Sequence, residues 1–311
     1  MKLFDLSRRF GRRPSPEEIL RLKTAVEARH GPWTAHNARL CDSVWTVKEG
    51  VVNFDEKTRR AIQIAHDFFG PDLSGLHVLD LGAGEGGLSL EFAQHGARVV
   101  CVEGRESNIA KAQFVAKVLG IRGISFFCQD VRNLPSFKRK FDLVLCYGLL
   151  YHLDAASAFG LVEKIHELAS RVAVIDTHYS LVNEQSAELG GELYFGRSFR
   201  EFAEGMTAAD MLNSPWSAMG NTTSFWFTKP SLLNLVNRLG FSTVYEVESP
   251  LVFDYYDRAT DTRYKYEDRS TFVAVRGAKA QILTSPEINR MPQRRWPESL
   301  GEQLVPSPRG G

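Results

Sequence analysis

The run Val78-Leu79-Asp80-Leu81-Gly82-Ala83-Gly84-Glu85-Gly86-Gly87 passes from a short apolar strand straight into a glycine loop and then a helix. Glycines tolerate positive φ and let backbone approach a ligand to hydrogen-bonding distance, where any Cβ would intrude. Such a strand, loop and helix cradles a nucleoside ligand and commits the surrounding chain to an α/β sheet. The spacing Gly82-x-Gly84-x-x-Gly87 also fits the dinucleotide fingerprint, so the loop by itself leaves the ligand open.

The alternation continues downstream. Apolar runs near 77–81, 98–103, 124–128, 141–146 and 171–176 read as strands, and Gly87–His95, Ser107–Leu119 and Ala155–Ala169 as the helices between them. This rhythm predicts a mostly parallel sheet covered on both faces, with its ligand beyond the carboxyl ends of the strands, where the chain order reverses. Upstream, Ser15-Pro16-Glu17-Glu18 opens a helix to about Arg29, Gly31–Asn37 is irregular, and a second helix runs from about Asp55 to Phe69 before Gly70-Pro71.

The expected organisation is an N-terminal helical cap over 1–70 and a cofactor-binding core over 71–179. A lid insertion, 180–228, follows where the rhythm fails for about fifty residues. The core is completed over 229–277 by a helix at Pro230–Leu239 and two runs, Ser242–Glu248 and Ser270–Val275, that pair as a terminal antiparallel hairpin. The tail 278–311, with Pro286, Pro292, Pro297, Pro306 and Pro308, reads as loosely ordered.

Charge excludes some partners. The 311 residues carry 38 Lys and Arg against 37 Asp and Glu, a formal net charge of +1, so no overall field draws the protein to nucleic acid or membrane. Arg8, Arg9, Arg12 and Arg13 read as a solvated terminal segment rather than a phosphate-binding patch. No apolar run approaches the roughly 20 residues of a bilayer span, and the N-terminus lacks a long apolar signal core, which places the protein in the cytoplasm. Cys101, Cys128 and Cys146 fall in strands expected to be buried, Cys41 stands apart, and no C-x-x-C occurs. Neither a disulfide framework nor a metal site is expected.

The strand ends carry the chemistry. Asp80, just before the glycines, would repel a pyrophosphate but suits the cationic amino end of S-adenosylmethionine. Glu103 ends the second strand about 20 residues on, where a carboxylate accepts from ribose hydroxyls in dehydrogenases as well. Asp130 ends the third, placed to accept from an exocyclic adenine amine while Val131 covers the ring.

In order and spacing, Val78 to Gly86, Glu103 and Asp130-Val131 resemble the successive motifs of class I S-adenosylmethionine-dependent methyltransferases over roughly 72–177. The resemblance implies a Rossmann-like seven-stranded sheet and S-adenosyl-L-homocysteine as product. It places Asp80, Gly82, Gly84 and Gly86 around the methionine portion, Glu103 at the ribose, and Asp130 with Val131 at the adenine, with Ala83, Gly104 and Tyr147 in the same site.

More narrowly, Phe141–Leu153, together with Phe225–Pro230 and the helix to Phe241, is similar to the tRNA wobble-uridine carboxymethyltransferases and their small-molecule-modifying relatives. Their basic Trp-Arg-Lys-Gly-Pro-Phe stretch has no equivalent here, which favours ordinary S-adenosylmethionine and makes tRNA the less favoured acceptor.

Direct methyl displacement asks chiefly for an acceptor atom held in line at roughly 3 to 3.5 Å, and for a base only where the acceptor loses a proton. His152 and Tyr151, after the fourth strand, are the catalytic candidates. His178 and Asp176 end the fifth strand. The insertion supplies Tyr194, Arg197, Arg200, Trp216, Asn221 and Trp226 as acceptor-binding candidates, alongside Phe195, Phe199, Glu201 and Phe225. Trp33, His36 and Asn37 could contribute from the cap. The leading expectation is methylation of a small-molecule oxygen, with tRNA modification, a non-catalytic nucleoside-ligand sensor and a nicotinamide-dependent oxidoreductase as alternatives. Oligomeric state is not legible.

Overall fold

The computed structural model describes residues 14–34, 36–47, 55–214, 216–247 and 268–277. The readings of Arg8 to Arg13 and of the tail from 278 fall outside the described residues. Helix α1 (Pro16–His30) is capped by Ser15, whose side chain accepts from the Glu18 amide, and α2 spans Asp55–Phe69. Between them lies a short hairpin, β1 (Arg39–Cys41) and β2 (Val44–Trp45), too brief to show any periodicity.

The core alternates as expected: β3 (His77–Leu81), α3 (Gly87–Gln94), β4 (Arg98–Glu103), α4 (Glu106–Leu119), β5 (Ile124–Cys128), β6 (Phe141–Tyr147), α5 (Ala155–Leu168) and β7 (Ala169–His178). After the insertion come α7 (Lys229–Arg238), β11 (Thr243–Val247) and β12 (Arg269–Val275). The sheet runs β11-β12-β7-β6-β3-β4-β5, with β12 antiparallel to both neighbours and every other pairing parallel. Chain order reverses between β3 and β6, so the crevice for a ligand opens at their carboxyl ends.

Both faces of the sheet are covered, which explains strands that read as unbroken apolar runs. Leu143 and Leu145 pack with Ile64 and Ala65 of α2, whereas Val144 and Cys146 face Leu161 and Ile165 of α5. Trp33 packs on Phe114 of α4, ring centres 5.6 Å apart, and so belongs to the seam between cap and core. Among the described residues no helix is long and apolar enough to cross a membrane.

One expectation about the core is corrected. Cys128 is exposed, because β5 is the edge strand of the sheet. The insertion, where the strand-helix rhythm fails, folds differently: β8 (Gln185–Leu189), β9 (Glu192–Arg200) and β10 (Thr223–Phe227) form an antiparallel sheet, with α6 (Ala208–Asn213) between the last two. Gly190 and Gly191, at φ 59° and 78°, make the two-residue turn between β8 and β9, a conformation other residues adopt at a cost. Tyr194, Phe225 and Phe227 of this sheet join the main core.

Candidate functional site

The carboxyl ends of β3, β4, β5 and β6 and the residues just beyond them surround a single cavity, into which Asp80, Gly82, Ala83, Gly84, Glu103, Gly104, Asp130, Val131 and Tyr147 all reach. Gly86 stands outside it. At φ 82° it starts α3, and a Cβ there would lie 2.6 Å from Cβ of Ala112, so its glycine serves the packing of α3 on α4.

Each acid is differently held. Asp80 is 1% exposed, and its Oδ2 accepts from Ser89 Oγ at 2.6 Å. Burial lifts its pKa to about 6; the Ser89 hydrogen bond opposes the rise and the neighbouring Glu103 charge adds to it. Glu103 accepts from the Gly84 and Arg105 amides, each at 2.9 Å, and thereby ties the glycine loop to β4. Asp130 is gripped by the Arg132 guanidinium, with Nε 3.0 Å from both carboxylate oxygens. Burial works to raise the Asp130 pKa, yet the hydrogen bonds and charge of Arg132 hold it below the usual carboxylate range.

The cap enters this site through Glu85. Its carboxylate accepts from the amides of Thr34 at 2.9 Å and His36 at 3.2 Å and pairs with Lys111 at 3.1 Å, both charged side chains being buried. His36 lines the cavity, its Nδ1 accepting from the Gly87 amide at 3.0 Å. Burial lowers its pKa despite the neighbouring Glu85 carboxylate, which keeps the ring neutral. Trp33 is core, and Asn37 accepts from the Val47 amide.

On the other side of the cavity stand Tyr151 and His152, in a single 3₁₀ turn after β6, with ring centres 4.2 Å apart. His152 Nδ1 lies 2.9 Å from Oε2 of Glu201. Burial raises the Tyr151 pKa, and its hydroxyl lies 3.5 Å from Nη1 of Arg269. Lys57 and Arg269 also line the cavity, and both pair with Asp176, at 3.1 and 2.6 Å. Asp176, 3% exposed and also bonded by Thr271 Oγ1 at 2.9 Å, is neither a cap nor a cavity-lining group but the counter-ion of two cations. Burial would raise its pKa; Arg269 and Lys57 keep it low.

Of the acceptor-binding candidates, Trp216 alone lines the cavity. Tyr194 is corrected to a core residue packed on Phe227, because its strand face turns inward. Trp226 donates from Nε1 to the Tyr151 carbonyl at 2.9 Å and stacks between His178 and Phe199. His178 bonds Asp268 at 2.8 Å, Arg197 lies over Trp226, and Arg200 points to solvent beside Glu204. Asn221 donates to the His152 carbonyl at 3.0 Å. Of these residues, His178, Asn221 and Trp226 contact Tyr151 or His152, which line the cavity.

Residues 78–171 match the methyltransferase domain family. The chain is similar to the ubiquinone biosynthesis O-methyltransferase of Coxiella burnetii (strain RSA 493 / Nine Mile phase I), 41% identical over 81 residues, 26% of this chain and 34% of the relative. The ubiquinone biosynthesis O-methyltransferase of Bradyrhizobium sp. (strain ORS 278) is 37% identical over 87 residues, 28% of this chain and 34% of the relative. The chain thus spans about a third of the length of these curated relatives. In three dimensions it is similar to the N-terminal domain of EvdMO1, crystallised in the presence of SAH and D-fucose, at a TM-score of 0.62 and 23% identity over 87% of this chain and 100% of that one. The same domain with SAH bound gives 0.63 at 22% identity, with the same coverage. The seven-stranded sheet thus shares the Rossmann-like fold of these structures, as its motifs implied.

The site fits the cofactor of such a domain. Tyr147 Oη is buried with no hydrogen-bond partner among the described residues, a capacity that a bound nucleoside could use. Among those residues no group of three or more His, Cys, Asp or Glu is arranged to hold a metal ion.

Sequence reading missed Lys57, Arg105, Arg132, Met219 and Arg269, all of which line the cavity. Arg105 and Arg132 sit two residues after predicted site acids, a signal that was available. Lys57 and Arg269 carried none.

Proposed function

We propose that the protein moves the methyl group of S-adenosylmethionine to an oxygen of a small molecule by direct displacement. The observation that carries this reading is the convergence of Asp80, Glu103 and Asp130, from the ends of three adjacent strands, on one cavity beside the glycine loop. The match to a methyltransferase domain and the O-methyltransferase relatives point the same way. Asp80 would face the cationic methionine end, Glu103 would offer its remaining lone pairs to the ribose, and Asp130 with Val131 would meet the adenine.

The bound cofactor supplies a methyl group already activated on a sulfonium, so the protein's task is positioning and proton removal. Tyr151 walls the acceptor side. His152, held at Nδ1 by Glu201, is the base that takes the hydroxyl proton as the new oxygen–carbon bond forms. The residues from 180 to 228 act as the lid over this side.

Titration calorimetry tests the reading. S-adenosylmethionine and S-adenosylhomocysteine are expected to bind saturably and NAD not, with Asp80→Ala and Glu103→Ala each weakening binding by at least about tenfold. Binding of NAD in preference to S-adenosylhomocysteine would overturn it.

A further inference from the structure

The turn that carries His152 and the lid segment over the nucleoside end of the cavity meet at one carboxylate. Glu201 Oε2 lies 2.9 Å from His152 Nδ1 and accepts from the Ala218 amide, also at 2.9 Å. The Glu201 side chain is 2% exposed. The lid segment it holds, Trp216 to Met219, lines the cavity and is seated by two arginines from the cofactor-side strand ends. Arg105 Nη2 donates to the Ser214 and Ser217 carbonyls at 2.9 and 2.8 Å, and Arg132 Nη2 to the Met219 carbonyl at 2.7 Å. Met219 lies flat against Gly104, so that a Cβ on that glycine would fall 2.5 Å from its sulfur.

We infer that Glu201 is a positioning residue: it fixes His152 with the proton on Nδ1 and the lone pair of Nε2 turned to the acceptor, and it ties that orientation to the lid segment seated over Gly104. This rests on His152 being the base proposed above. An ionised carboxylate can only accept, so the ring must donate at Nδ1, and a neutral ring then has its lone pair on Nε2. Burial tends to raise the Glu201 pKa, but the hydrogen bond and charge of His152 and the Ala218 amide hold it below the ordinary range, so it stays ionised. Among the described residues Nε2 has no hydrogen-bond partner, in a residue that lines the cavity. A carboxylate required merely to close the lid would have no need of the imidazole.

The wild-type protein, labelled with ¹⁵N-histidine, decides the matter by NMR, with His152 assigned through the loss of its signals in His152→Gln. At pH 8 the Nδ1–H tautomer is expected to dominate by about tenfold, the scale of a charge-assisted hydrogen bond. In Glu201→Gln, whose amide can accept from Ala218 yet no longer demands a donor at Nδ1, the Nε2–H share should rise at least about threefold while S-adenosylhomocysteine affinity stays within about threefold. A wild-type ring protonated on Nε2 overturns the proposal, and this measurement needs no variant. So does a Glu201→Gln protein that keeps the wild-type tautomer, whether or not it still binds S-adenosylhomocysteine. Failure of the wild type to bind S-adenosylhomocysteine would instead defeat the functional reading, leaving the tautomer assignment intact.

Discussion

Ser89 Oγ donates to Oδ2 of Asp80 at 2.6 Å beneath the glycine loop, one neutral donor for a carboxylate that is otherwise shut away from water. With a pKa near 6, Asp80 is protonated in part of the ligand-free population at mildly acid pH. A cationic ligand selects the ionised form. Affinity for S-adenosylmethionine should therefore climb by up to about tenfold per unit as pH rises from 5 to 6 and level off above 7. Calorimetry across that range checks it, and a flat profile would remove Asp80 from contact with the cation.

The same shift costs stability. A carboxyl whose folded pKa exceeds its unfolded value of about 3.9 binds protons more tightly when folded, so stability falls as pH rises through roughly 4 to 6 and the full cost persists above. Asp80→Asn should raise the stability of the ligand-free protein at pH 7.5 by about 1–3 kcal/mol while weakening S-adenosylmethionine binding. Urea denaturation with and without ligand measures both, and a destabilised Asp80→Asn protein would contradict the assignment.

Asp176 has the opposite sign. Its folded pKa lies below the unfolded value, so its contribution is present above about pH 4 and is lost as pH falls through the folded pKa. Asp176→Ala strips a buried carboxylate from Lys57 and Arg269 and should destabilise the protein by about 3–5 kcal/mol at pH 7. A loss below about 1 kcal/mol would mean that this network adds little to the fold.

Gly104→Ala sets a methyl against the Met219 sulfur and should lift the lid segment, lowering S-adenosylhomocysteine affinity about tenfold. Because the obstruction is a flexible side chain, adding Met219→Ala should restore most of the loss. Non-additivity of this kind is the signature of a direct contact, and additive effects in the double variant would rule it out.

The strands of the core were legible because a sheet buried on both faces asks for uninterrupted apolar residues, and Val78-Leu79, Val99-Val100 and Leu143-Val144 supply them. The strand-end acids were legible for a related reason: a carboxylate directly after such a run stands out as a group that must meet something polar. The strands of the 180–228 insertion were not legible although Gly190-Gly191 marked a hairpin turn, since β8 and β9 are short, mixed in polarity and largely exposed.

The sequence by itself determined the alternating sheet, the glycine turn and the edge on which Asp80, Glu103 and Asp130 would gather, because each depends on neighbours a few residues apart. Tertiary structure alone decided that Lys57 and Arg269 share Asp176 across 119 and 93 residues, and that Glu201 meets His152 across 49. Local pattern holds no record of such pairs: they exist only once packing has brought distant segments to a common cavity and burial has made each charge depend on its partner.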